Sequence, residues 1–255
     1  MATFECHRES ALRKQADPPT IRMLEQWQLL CREKVGTMIE VVFVNRREYP
    51  FHGINTHIGE MNTAIPQPFE DRLILLLLLE DTKKLDMLIV THEIGHWFLN
   101  LQGLKVIENK NDNSYDYLSS LCSHPALYKL QRSFGHEPQK EIDRRAAHNI
   151  AMLGYKTETA DEKTNIKSAL QYTDDLLNCS RSNRIGLERK ISNKLPRTAE
   201  IIEIILKLKN SRDLSKIEEV LPFSKEVVQK LGLEGNWSES NDLNQLKKDI
   251  AKLKR

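Results

Sequence analysis

The chain has 255 residues, of which 29% are charged and 40% hydrophobic, with a formal net charge of +2. That length can bury one good core, with room for a smaller appended region. So balanced a charge demands neither a nucleic-acid nor a membrane partner.

Residues 156–255 hold 20 Lys/Arg against 16 Asp/Glu, a mild basicity that a solvated helical surface explains. The polar N-terminus (Met1 to Ser10) is not a signal peptide. The longest apolar run, residues 73–79, is a third of the roughly twenty residues that a membrane span needs. Cys6, Cys31, Cys122 and Cys179 are scattered, with no C-x-x-C pair, which suits free thiols in a cytoplasmic protein.

In chain order, Pro18 and Pro19 lead to Thr20, a cap for a helix through Trp27 and Leu30 to about Lys34. Residues 38–44 are rich in β-branched types and read as a strand. Residues 51–63, with His52, Gly53, His57 and Gly59, are weakly patterned and read as a short or edge strand. Pro66 and Pro68 mark a loop. Residues 73–79 read best as a buried central strand, although periodicity alone does not separate that from a buried helix.

The next segment carries the chemistry. From Leu85 to Leu101 apolar residues recur at helical spacing without a proline, after Asp81-Thr82 as capping signal and before Gly103 as stop. Inside it stands His92-Glu93-Ile94-Gly95-His96, an H-E-x-x-H motif. On a helix, positions four apart point the same way, so both imidazoles can bind one Zn²⁺ at about 2.0–2.1 Å. Glu93 projects from the neighbouring face, within reach of a water at the metal, where a general base belongs. The competing reading is a pair of core histidines without metal. A buried helix carrying two imidazoles and a carboxylate is costly unless they are satisfied, and a metal with its water satisfies all three.

Residues 85–103, with the strands before them and one helix after, resemble the zincin metallopeptidases. The resemblance implies an α+β fold, with a small sheet packed on the motif helix. It also implies peptide-bond hydrolysis by a zinc-activated water, and an exposed strand beside the cleft that takes up extended substrate. Residues 57–63 are the candidate for that strand, against an ordinary loop.

A catalytic zinc usually has a third protein ligand, and two residues qualify. Asp116, with Ser119 three residues on, resembles the downstream carboxylate of the gluzincin branch, although that branch uses Glu. His124, in Ser-His-Pro at an expected helix start, offers a neutral imidazole. A third histidine six residues after the second is excluded, because that position is Gln102. His7, His52, His57, His136 and His148 read as structural or exposed. Tyr115, Tyr128 and Tyr155 are each able to donate to a developing oxyanion.

After a polar loop at residues 105–113, a helix is expected from about Ser114 through Leu121. A second follows over residues 126–134, begun by Ser123 and Pro125, and a third runs from Pro138 to Gly154. A polar link at residues 157–165 precedes helices at 166–177, 199–208, 224–231 and 243–253, the last expected to fray. The division that results is a metal-binding domain, residues 1–155, and a helical region, residues 156–255. The function expected is zinc metallopeptidase, with a peptide or protein substrate and no membrane or nucleic-acid partner. The alternatives are a zinc-binding regulatory or interaction protein and a zincin fold with a non-peptidase substrate.

Overall fold

The computed structural model describes residues 6–49, 63–69, 72–109, 112–233, 235, 237–240 and 242–253. Among them it is mixed α+β, with ten α-helices, a small mixed sheet and a mostly helical second half. The chain divides into two compact units that interleave in sequence. One holds Met1–Gly103, Leu130–His136 and Asn241–Arg255, and the other holds Leu104–Lys129 and Glu137–Ser240. The boundary expected at residue 155 does not coincide with this division.

The first unit contains β1 (His7–Arg8), α1 (Glu9–Gln15), α2 (Pro18–Val35), β2 (Glu40–Asn45), β3 (Thr63–Phe69), β4 (Arg72–Leu79) and α3 (Met87–Leu101). Its sheet runs β1-β2-β4-β3, with β2 and β4 parallel and the two outer strands antiparallel to their neighbours. Strand β4 is central, as expected, and the structure explains its unbroken leucines. Leu73, Leu75, Leu77 and Leu79 enter the core with Trp27 of α2 and Ile94 and Phe98 of α3. Ile74, Leu76 and Leu78 enter a second cluster on the other face with Val42, Val44, Ile65 and Phe69. A strand buried on both faces has no polar face to alternate with.

Pro66 and Pro68 do not make a loop. They lie within β3, opposite Leu75 and Leu73. An edge strand tolerates proline where the missing N–H faces outward. Ala64, of the same parity, has its carbonyl taken by the Trp97 indole at 3.0 Å, which marks 64, 66 and 68 as the outward-turned set. The candidate substrate strand at residues 57–63 lies outside the described residues except for Thr63, the first residue of β3.

Two helix starts differ from expectation by a few residues. Asp17, rather than Thr20, caps α2 by accepting the Thr20 amide, with Pro18 and Pro19 in the first turn. Asp86 caps α3, because the Asp81 carboxylate is engaged in the preceding turn by the amides of Lys83 and Lys84.

The second unit contains β5 (Ile107–Glu108), most of α4 (Ser114–Phe134), α5 (Gln139–Met152), α6 (Glu162–Asn178), α7 (Arg181–Lys194), α8 (Pro196–Lys209), α9 (Ile217–Lys230) and β6 (Ser238–Glu239). A 3-10 turn at Leu153–Tyr155 follows α5. Helix α4 is continuous where two helices were expected. Pro125 removes one backbone donor inside it, and Ser123, expected as a cap, bonds back to the Ser119 carbonyl at 2.8 Å. Helix α7 has no expected counterpart of its own, since only Leu187 and Ile191 are buried along it.

The last helix, α10 (Asp242–Leu253), belongs to the first unit, and it does not stand apart as a fraying end. Leu246 and Ile250 are buried in the core beside the sheet. Leu246→Ala should therefore cost about 2–5 kcal/mol in denaturant unfolding, the cost of a cavity in a packed core. A frayed terminal helix would show a change within about 0.5 kcal/mol instead.

Candidate metal centre

Helix α3 presents His92 and His96 from successive turns. Their Nε2 atoms face each other at 3.3 Å, with the rings edge-on. Two nitrogens each about 2.05 Å from a tetrahedral ion lie about 3.3 Å apart, so this pair already has the spacing of two ligands of one metal. Glu93, half-buried on the adjacent face, has its carboxyl pushed up to about 8 by burial alone. No charged neighbour among the described residues pulls it back.

The third histidine arrives on α4. Gln131 of α4 donates to the Thr91 hydroxyl and the Leu88 carbonyl of α3, each at 3.0 Å. His124 lies seven residues before Gln131, hence two turns away on the same face of α4. One ring nitrogen from each of His92, His96 and His124 lies within 4.8 Å of the others. These three residues could hold a metal ion.

Of the two candidates for third ligand, one lies in this group and the other does not. His124 joins the pair, whereas Asp116 is exposed in the first turn of α4 and is not in the group. The two are eight positions apart on the helix, about 12 Å along its axis. Three imidazoles are a suitable donor set for a borderline divalent ion and leave a fourth position open.

Around His124 is a polar cluster. Its Nδ1 lies 2.7 Å from Asp174 Oδ2, and Arg145 donates to the same oxygen at 2.7 Å. Burial alone would raise the Asp174 carboxyl, but His124 and Arg145 beside it hold it below the usual carboxylate range. Asp174 and Arg145 were not among the expected site residues. The legible signal was an acid on an apolar stripe: Asp174 follows Ile166 and Leu170 at four-residue steps along α6.

Of the tyrosines, Tyr128 lies beside the His124 ring, tilted to it by 36°, and its hydroxyl receives a bond from Arg145 at 3.3 Å. Tyr115 is buried with its hydroxyl on the Leu233 carbonyl, and Tyr155 is exposed. His7 stacks on Phe43, His136 is buried and His148 is exposed, all outside the group, while His52 and His57 lie outside the described residues. A pocket of about 350 Å³ lies at the carboxyl ends of β2 and β4, lined by His7, Phe43, Asn45, Glu48, Asp81 and Lys83 among others. It contains none of the three histidines.

No family model, curated protein or solved structure matches the chain. Among the described residues no helix is long and apolar enough to cross a membrane.

Removing any one of the three imidazoles should abolish stoichiometric metal. His92→Ala, His96→Ala and His124→Ala should each lower affinity by more than the roughly 10–100-fold typical of outer-shell changes. Asp116→Ala should leave metal content as in the wild type. Elemental analysis of protein purified without chelator, then titrated with zinc, reads both.

Proposed function

We propose that the chain is a zinc-dependent metallopeptidase of zincin-like build, with His92, His96 and His124 holding the ion and Glu93 as general base. The observation that carries this reading is the convergence of a third imidazole on the paired Nε2 atoms, with a carboxylate one residue along the same helix. A zinc ion there supplies Lewis acidity, polarising a carbonyl and bringing the pKa of water towards about 7. Glu93 takes the proton of the attacking water and then delivers it to the leaving amine. Its environment suits that exchange, because a desolvated carboxyl holds a proton more readily than an exposed one. Four free thiols, three of them buried, suit the reducing environment of the cytoplasm.

A second reading, a zinc-binding interaction protein without peptidase activity, has one observation in its favour. An extended peptide added to a sheet edge needs backbone donors, and the outward set of β3 lacks them at Pro66 and Pro68. Trp97 already occupies the Ala64 carbonyl. A peptide substrate therefore takes its backbone contacts elsewhere on the reading we favour.

Glu93→Gln discriminates between the two. Glutamine nearly preserves size and polarity but cannot take the proton. Zinc content and thermal melting should stay near wild type, while cleavage of a peptide library or casein falls by about 10²–10⁴-fold. Chelator should abolish wild-type cleavage, and zinc should restore it. Undiminished cleavage by Glu93→Gln would remove Glu93 from its role. A zinc-loaded wild type that cleaves nothing would favour the interaction protein.

A further inference from the structure

The reaction set out above makes no use of the carboxylate beside His124. Asp174 is 5% exposed and His124 is 6% exposed, so water does not compete for their bond. A carboxylate only accepts, so the proton in the 2.7 Å contact is on His124 Nδ1. A neutral imidazole protonated there has its lone pair on Nε2. Asp174 is fixed on both oxygens. Oδ2 also receives Arg145 Nη2 at 2.7 Å, and Oδ1 receives Asn178 Nδ2 at 2.9 Å. Arg145 is in turn braced by Asp175 at 2.6 Å and by the Tyr128 hydroxyl at 3.3 Å.

We propose that Asp174 is a positioning residue for the metal centre: it selects the Nδ1–H tautomer of His124 and so directs Nε2 towards the group formed with His92 and His96. Arg145 holds Asp174 to that orientation. This inference rests on the three-histidine reading of the site. Loss of such an outer-shell acceptor of a ligating histidine typically weakens metal binding by about 10–100-fold. A purely structural ion pair makes a different prediction. It would lower stability without regard to which carboxylate of the cluster is changed.

The test compares wild type, Asp174→Asn, Asp174→Glu and Asp175→Asn. Affinities for zinc(II) and cobalt(II) are measured by competition with a chromophoric chelator, and metal-free melts are run alongside. Asp175→Asn disturbs the same Arg145 without touching His124, so it reports the structural effect alone. Asp174→Asn should weaken both ions by about 10–100-fold and shift the visible absorption of bound cobalt(II). Asp174→Glu should recover part of that loss, and Asp175→Asn should stay within a few-fold of wild type whatever its melt. Equal losses in Asp174→Asn and Asp175→Asn would overturn the proposal. So would unchanged affinity in Asp174→Asn while His124→Ala loses the metal, and that outcome would leave the three-histidine reading standing. A wild type that binds neither ion would remove the site and the proposal together. Nitrogen-15 spectra of the histidines in the metal-free wild type need no variant to fold. They should show His124 protonated at Nδ1, and protonation at Nε2 would overturn the assignment.

Discussion

Polar groups on a buried helix must be satisfied, and that constraint organises the site. Helix α3 buries Val90, Thr91, Ile94, Gly95, Phe98 and Leu99, yet it carries two imidazoles and a carboxylate among them. An unpaired polar group in such surroundings costs about 1–3 kcal/mol. The chain meets that demand by turning the imidazoles towards each other and bringing a third beside them on α4. The Gln131 bonds to Thr91 and Leu88 do the same for the adjacent turn, and they also set the face of α4 that carries His124.

The sheet holds α3 in place by simple means. Strand β4 is covered on both faces, so its seven leucine and isoleucine side chains serve two clusters at once. The Trp97 indole, next to His96 in sequence, is anchored on the outward carbonyl of β3. Among the described residues β3 is the edge of the sheet, and Pro66 and Pro68 blunt that edge, which lowers its capacity to pair with another strand. Anchoring the motif helix and protecting the edge are thus one arrangement. It ties the helix to the strand that would otherwise be the natural place for a peptide to dock.

What could be read beforehand follows from where the physical signal is local. The motif helix, the central strand and α2 were legible because periodicity, capping and apolar runs are properties of neighbouring residues. The prolines of β3 were not, since proline alone signals a turn and only the sheet reveals that two missing donors face outward. Helix α4 was divided in two for the same reason. Ser-His-Pro reads as a helix start, but packing along the whole helix outweighs one lost backbone bond. The place of α10 in the first unit depends on contacts far apart in sequence, which Leu246 and Ile250 alone do not announce. His124 stood among two candidates, and its nearness to His92 and His96 appears only in three dimensions. Asp174 was legible only as an oddity, an acid on the apolar stripe of α6.

That oddity connects the cluster to the chemistry of the site. Two carboxylates, Asp174 and Asp175, share one guanidinium, so with His124 neutral the cluster has a formal excess of one negative charge. Buried, such an excess is costly unless a cation lies nearby. Protonating His124 would supply one, but an imidazolium has no lone pair left for a ligand. On the proposed reading, a divalent ion bound at Nε2 would supply the charge and use the lone pair, leaving the Nδ1 proton where Asp174 accepts it. The same carboxylate thus fixes which ring nitrogen of His124 keeps its proton. On that reading, His124 and the buried acid pair on α6 act as one electrostatic unit.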